Sequence, residues 1–213
     1  MKAARAIPEP ASSEIRRALL PLRAIKLGYH ATRHLFERAL HPRRHLTTYR
    51  RLSNAPRPRR ILVICHGNIC RSPYLQAVLQ RSLPDITVAS AGFVGSGRPI
   101  PALPVALSGE RGFDLSQYRS QPVTQSKVRE ADLLIVMDSE QARRVARMFR
   151  VHQDRIVIAG DLEPIFERTR AIRDPWNQSV EIFNSSFDRL DRCAAALVKV
   201  LPNRDRKVLV SDR

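Results

Sequence analysis

The residues best suited to chemistry lie together in one segment, which reads Cys65-His66-Gly67-Asn68-Ile69-Cys70-Arg71-Ser72-Pro73. A thiolate is a strong nucleophile, and an arginine guanidinium can hold two oxygens of a phosphate group at once. Ser72 adds a hydroxyl that can donate a hydrogen bond to the Cys65 sulfur. The spacing therefore predicts attack of Cys65 on phosphorus, with Arg71 as the phosphate clamp.

The flanking residues predict that this segment is a loop between a strand and a helix. The apolar run 61–64 is typical of a buried parallel strand, while Ser72 and Pro73 suit the start of a helix. Amide groups of such a loop converge on an anion, and Gly67 and Asn68 tolerate the backbone turns required. The predicted contacts with the phosphate group are His66, Gly67, Asn68, Ile69, Cys70 and Ser72.

Strand and helix patterns alternate along the rest of the compact region. Strands are predicted at 61–64, 86–89, 132–137 and 155–158, and helices at 73–83, 102–111, 139–149 and 180–201. This alternation predicts an α/β fold around a parallel sheet. In such a sheet, ligands bind beyond the carboxyl ends of the strands, which is where the cysteine loop lies.

A group that leaves from phosphorus needs a proton donor, and several carboxylic acids compete for that role by position. Asp132 opens a predicted strand, so it should lie at the wrong end of the sheet. Asp161 and Asp174 both lie on the long connection before the last helix, where a mobile catalytic acid would be expected. The full set of candidates is Asp132, Asp138, Asp161, Glu163, Asp174 and Asp188.

The cysteine segment resembles the active-site loop of the low-molecular-weight protein tyrosine phosphatases, over about residues 60–203. Further matching pieces are Ser90-Ala91-Gly92, Met137-Asp138 and Asp174-Pro175. The resemblance implies a four-stranded parallel sheet with helices on both faces, and phosphotyrosine hydrolysis through a phosphocysteine without a metal or cofactor. It selects Asp174 as general acid and base, and Asn68 and Ser90 as braces of the loop.

Other positions are less typical of the family. Trp176 is the only tryptophan, and its ring could stack on a phosphotyrosine ring. The family usually has Tyr or Phe at that position, often followed by a second aromatic residue, where this chain has Asn177. His66 replaces a small or aliphatic residue, and Gln76 replaces a frequent Glu.

Three other functions compete with tyrosine phosphatase activity. Arginine-phosphate hydrolysis is compatible with the same scaffold. Arsenate reduction requires a relay of further thiols, but residues 79–150 contain no cysteine. A non-catalytic phosphate-binding adaptor is disfavoured because the chain retains Cys65, Arg71, Ser72 and Asp174. Cys193 is expected in the core, and a disulfide between Cys65 and Cys70 would protect the nucleophile from irreversible oxidation.

The basic charge is concentrated near the N-terminus. Of the 37 Lys and Arg residues, 15 lie within residues 1–60, together with only three of the 20 acidic residues. We predict a basic extension at 1–58, a phosphatase domain at 59–205 and a basic tail at 206–213. A helix is predicted over 13–40, ended by His41-Pro42, followed by an extended linker over 53–60.

The extension suggests contact with an anionic membrane surface or an acidic partner, or simply a solvated helical hairpin. Nucleic acid is disfavoured, because the extension has few aromatic residues. Three cysteines and the lack of a long apolar run favour a cytoplasmic location, peripheral to a membrane if the extension binds one. The resemblance implies a phosphotyrosine protein as substrate, with a bacterial tyrosine kinase as a candidate.

Overall fold

The computed structural model of the protein describes residues 35–167 and 169–203. Its centre is a four-stranded sheet in the order β2-β1-β3-β4, in which every neighbouring pair is parallel. The strands are β1 (Arg60–Cys65), β2 (Thr87–Gly92), β3 (Leu133–Val136) and β4 (Ile156–Ile158). The predicted α/β class and four-stranded parallel sheet are confirmed.

Six helices surround this sheet in the described residues: α1 (35–54), α2 (Arg71–Ser82), α3 (Ala102–Glu110), α4 (Gln125–Glu130), α5 (Ser139–Phe149) and α6 (Val180–Val200). The bounds of α5 agree with the sequence pattern. Strand β2 runs three residues further than predicted, so Ser90-Ala91-Gly92 is its end and not a loop after it. Helix α4 was not predicted, because one turn of mostly polar residues carries little periodicity.

Alternate residues of β1 face two separate hydrophobic cores, as the period of a strand requires. Ile61, Val63 and Cys65 belong to the core that also contains apolar residues of α2 and α6. Leu62 and Ile64 belong to the opposite core, together with residues of α4 and α5. Helices therefore cover both faces of the sheet, and β1 ends at Cys65 between β2 and β3.

The predicted end of the N-terminal helix at His41-Pro42 is wrong, since α1 continues to residue 54. A proline inside a helix removes one hydrogen bond and strains the backbone. Packing on the domain offsets this penalty: His41, Thr48 and Leu52 are buried along one face of the helix. The extended linker is correspondingly shorter than predicted, and the part of the predicted helix before residue 35 lies outside the described residues.

The connection after β4 returns to the carboxyl edge of the sheet and carries the segment 171–178, here called the acid loop. Its Ile172 N–H donates to the carbonyl oxygen of Met137, at the end of β3, over 2.9 Å. Further back, a Cβ on Gly160 would lie only 2.0 Å from the carbonyl oxygen of Arg170, so only glycine fits there. These contacts fix the acid loop beside the loop that follows β1.

Candidate active site

The loop between β1 and α2 surrounds the sulfur of Cys65 with hydrogen-bond donors. The backbone N–H of Asn68 lies 3.2 Å from Sγ, and the Ser72 hydroxyl lies 3.0 Å from it. Asn68 adopts a left-handed backbone with φ 51°, which turns its N–H toward the sulfur. Donors aimed at a sulfur stabilise its thiolate form, so the site favours a nucleophilic Cys65.

Asn68 is fully buried and connects the loop to three other segments. Its Nδ2 donates to the Ser72 hydroxyl at 2.8 Å and to the Ser90 hydroxyl at 2.9 Å. Its Oδ1 accepts from the Tyr118 hydroxyl at 2.9 Å and from the Gln121 N–H at 2.7 Å. Both the nitrogen and the oxygen of the side-chain amide therefore have hydrogen-bond partners. A loop fixed in this way holds its donors in position before a substrate binds.

Gly92, at the end of β2, packs directly against this loop. A Cβ at position 92 would lie 2.8 Å from the Asn68 backbone nitrogen and 2.9 Å from the Gly67 carbonyl carbon. Any side chain there would displace the loop. In Ser90-Ala91-Gly92, Ser90 thus contributes a hydroxyl next to Asn68, and Gly92 leaves the space that the loop occupies.

Arg71 is almost completely buried at the start of α2, where its guanidinium reaches the acid loop. Nη1 donates to the Ile172 carbonyl oxygen at 2.9 Å, and Nη2 forms an ion pair with the Asp174 carboxylate. Nε is buried and has no hydrogen-bond partner in the described part of the chain. Since buried donors are normally paired, Nε is suited to an acceptor supplied by a ligand, such as a phosphate oxygen.

A cavity of about 240 Å³ opens above Cys65. Of the predicted site residues, it is lined by Cys65, His66, Gly67, Ile69, Cys70, Arg71, Asp174 and Trp176. Asn68, Ser72 and Ser90 do not line it but lie buried behind the loop. The structure thus brings the predicted residues together, in two layers: one faces the cavity, and the other supports the loop.

Trp176 stands at the edge of this cavity with 46% of its surface exposed. Its backbone N–H donates to Oδ1 of Asp174 at 3.2 Å, which ties the indole position to that of the carboxylate. The following residue, Asn177, has a left-handed backbone with φ 54° and does not line the cavity. Only one aromatic side chain therefore borders the cavity from this loop.

Arg98 is a site residue that the sequence reasoning missed. Its Nη2 donates to the carbonyl oxygens of Gly67 at 2.7 Å and Val94 at 2.6 Å, and its side chain lines the cavity. Gly95 makes room for this arrangement, because a Cβ there would lie 2.4 Å from Nε of Arg98. The sequence could have indicated Arg98 through its position. It is a cation that follows a glycine-rich loop, and that loop leaves the sheet at its carboxyl edge.

The other two cysteines differ from Cys65 in their surroundings. Burial raises the pKa of the Cys70 thiol to about 12, and the nearby negative charges of Cys65 and Asp174 add to the effect. Burial also raises the pKa of Cys193 well above its ordinary value. Both thiols are therefore protonated near neutral pH, and all three cysteines are free.

The described residues contain no group of three or more His, Cys, Asp or Glu side chains arranged to hold a metal ion. The donors around Cys65 are amide, hydroxyl and guanidinium groups, which suit an anion. Within the same residues, no helix has the length and apolar character needed to cross a bilayer.

Comparison with known protein families decides the assignment. Residues 60–207 match the family model described as low molecular weight phosphotyrosine protein phosphatase. The chain belongs to this family. It is accordingly a phosphatase. The match begins at the first residue of β1, so it does not include α1.

Individual members of the family match the same part of the chain. The probable low molecular weight protein-tyrosine-phosphatase EpsP of Ralstonia nicotianae is 35% identical over 139 residues, which cover 65% of this chain and 92% of that protein. The low molecular weight protein-tyrosine-phosphatase Wzb of Escherichia coli K12 is 31% identical over 144 residues, covering 66% and 94%.

A solved structure of Vibrio vulnificus Wzb, in complex with benzylphosphonate, shares the fold with a TM-score of 0.61. Its sequence is 31% identical, and the match covers 67% of this chain and 98% of that one. This phosphatase therefore contains nearly a whole family member, preceded by additional sequence.

Proposed function

We propose that this phosphatase hydrolyses phosphotyrosine in proteins through a phosphocysteine formed on Cys65. The observation that carries the proposal is the environment of the sulfur. Two donors hold it at the floor of a cavity that the guanidinium of Arg71 and the carboxyl of Asp174 also line. This is the set of groups needed to attack a phosphate monoester, stabilise its charge and protonate the leaving group.

In the first step, the Cys65 thiolate attacks phosphorus and the bond between phosphorus and the phenolic oxygen breaks. Asp174 donates its proton to the departing oxygen, so that tyrosine leaves as a neutral phenol. Arg71 and the loop amides hold the three remaining oxygens of the phosphoryl group. Ser72 stabilises the thiolate before the attack, through its hydrogen bond to Sγ.

In the second step, Asp174, now a carboxylate, accepts a proton from water, and the water oxygen attacks the phosphocysteine. The sulfur–phosphorus bond breaks, orthophosphate leaves and the thiolate is regenerated. The Ser72 hydroxyl again stabilises the sulfur, this time as leaving group. Trp176, half exposed at the cavity edge, is placed to contact the tyrosine ring during both steps.

The names of the relatives support a phosphoprotein substrate, and we propose a bacterial tyrosine kinase as a candidate. The cytoplasmic location, and the contact of residues 1–58 with an anionic membrane surface or an acidic protein, stay predictions. A thiol relay for arsenate finds no support, because the one cysteine outside the loop, Cys193, is buried.

The test is turnover of matched peptides that carry either phosphotyrosine or phosphoarginine, without added metal. We expect the phosphotyrosine peptide to be the better substrate by kcat/KM, and vanadate to compete with it. Preference for the phosphoarginine peptide would contradict the proposed substrate while leaving the role of Cys65 intact. Full activity of Cys65→Ser would contradict the mechanism itself.

A further inference from the structure

A second cavity, of about 560 Å³, lies between α1 and the β4 side of the domain and shares no residue with the catalytic cavity. It is lined from α1, from α5 and from the segments around β4. Five arginines contribute to its wall: Arg43, Arg44, Arg51, Arg143 and Arg170. Two carboxylates also contribute, Asp154 and Asp161, so the lining carries an excess of positive charge.

Some of these charges are already compensated inside the protein. Arg44 pairs with Glu37 at 2.6 Å, and Arg170 pairs with Asp161. The remaining carboxylate, Asp154, lies 2.9 Å from the imidazole of His152 and forms no ion pair with an arginine of the cavity. Five arginines therefore outnumber the three acids Glu37, Asp154 and Asp161, which leaves an excess of positive charge.

The other three arginines, Arg43, Arg51 and Arg143, form no ion pair with a carboxylate among the described residues. Arg51 donates to the carbonyl oxygens of Gln153 at 3.2 Å and Ile156 at 3.0 Å, which fixes its guanidinium against the domain. Its Nε is buried without a hydrogen-bond partner in the same part of the chain. Burial also lowers the pKa of Arg51, and the charges of Asp154 and Asp161 offset this effect only in part.

Cations that outnumber the carboxylates along one concave surface raise its potential and attract anions. The cavity volume falls within the range of about 300 to 1,000 Å³ that is usual for small-molecule sites. A concave surface of this kind suits a small ligand, whereas binding to a membrane requires a flat or convex protein surface. Leu40, Ile156 and Ile158 supply apolar wall next to the arginines. The site thus offers charge for phosphate groups and apolar contact for an organic body.

We propose that this cavity binds a phosphate-bearing organic molecule with at least two negative charges, held by Arg43, Arg51 and Arg143. Because Arg43 and Arg51 belong to α1 and Arg143 to α5, the ligand would connect the N-terminal helix to the domain. The site is separate from Cys65 and does not depend on the catalytic mechanism.

The experiment is calorimetric titration of the full chain with inorganic tripolyphosphate, in the presence of saturating benzylphosphonate to occupy the catalytic cavity. The test variant is Arg43→Gln with Arg143→Gln. Both side chains are exposed and neither forms an ion pair in the described residues, so folding should be preserved. The matched control is Arg50→Gln with Arg147→Gln, which removes the same charge from the same two helices outside the cavity.

We expect one tripolyphosphate per chain, and binding weakened about tenfold or more in the test variant, because two charge-assisted contacts are lost. The control variant should bind as the unmodified chain does. Equal weakening in both variants would show a general charge effect and overturn the proposal. Absence of tripolyphosphate binding, or binding only to vesicles containing anionic lipid, would overturn it as well.

Discussion

Arg71 forms an ion pair with Asp174, so the proposed phosphate clamp and the proposed general acid contact each other directly. The same guanidinium donates to the Ile172 carbonyl oxygen, two residues earlier on the acid loop. An incoming phosphate group must compete with Asp174 for Nη2. Substrate binding should therefore free the carboxyl group at the moment when the leaving oxygen requires a proton.

The first prediction concerns Asp174→Asn. Without a proton donor, kcat/KM for phenyl phosphate should fall about 100-fold or more, whereas kcat/KM for p-nitrophenyl phosphate, with its better leaving group, should fall much less. This ratio reports the step that breaks the ester bond, while kcat also contains the hydrolysis of the phosphocysteine, which is common to both esters. Inorganic phosphate should inhibit this variant more strongly, because Asp174 no longer competes for Arg71. Steady-state kinetics with both esters measure these effects.

Asp188→Asn is the control, since Asp188 is half exposed and pairs with Arg111 away from the cavity. It should leave the dependence on leaving group unchanged. An equal loss of kcat/KM for both esters in Asp174→Asn would remove Asp174 as general acid.

The second prediction tests the support of the cysteine loop through Asn68→Gly. Glycine keeps the left-handed backbone but removes the buried amide and its four hydrogen bonds. We expect the free energy of unfolding to fall by roughly 2 kcal/mol and kcat to fall as well. The rate of Cys65 alkylation should fall as well, since Ser72 is no longer oriented toward the sulfur.

Tyr118→Phe removes a single partner of Asn68 and should show the same changes in weaker form. If Asn68→Gly lost stability but kept its kcat and its rate of Cys65 alkylation, the amide would be only structural.

The third prediction concerns the pH dependence of stability. The Cys70 thiol titrates at about 12 in the folded protein and at about 8.5 when unfolded. Between these values the unfolded chain binds fewer protons, so stability falls as the pH rises. The free energy of unfolding, measured with urea at about pH 8 and about pH 10, should fall between these two pH values. In Cys70→Ala this fall should be about 2 kcal/mol smaller than in the unmodified protein. Equal losses in both proteins would contradict this account of Cys70.

The fourth prediction concerns the domain boundary, for which we propose a start at residue 59. Deleting residues 1–55 should leave kcat/KM for p-nitrophenyl phosphate within about twofold, because a domain has its own core. The free energy of unfolding should fall by about 2 kcal/mol, since Leu52 is buried against that core. A truncated protein that is folded but inactive would contradict the boundary.

The sequence was sufficient for the elements that depend on local patterns. Continuous apolar runs predicted three of the four strands, β1, β3 and β4, and Ser139 to Phe149 carries the periodicity of α5. The cysteine loop could be located because Cys65, Arg71 and Ser72 have fixed spacing and lie between a strand and a helix. Asp174 could be selected only by family resemblance, since several acids met the positional requirement equally well.

What the sequence did not predict depends on contacts between distant residues. The local rule for proline ends a helix at Pro42, but burial of Thr48 and Leu52 continues α1. Arg98 and Tyr118 reach the cysteine loop across 31 and 50 residues of chain, and no local pattern records such pairs. The arginine-lined cavity depends in the same way on how α1 docks.

The central claim is that Cys65 carries the phosphoryl group during turnover, and trapping that intermediate tests it most directly. The Asp174→Asn variant, mixed with p-nitrophenyl phosphate and quenched rapidly, should accumulate phosphoenzyme because the base for its hydrolysis is missing. Mass spectrometry should find one phosphoryl group, on the peptide that contains Cys65. Turnover without any labelled enzyme, or with the label on another residue, would contradict the account.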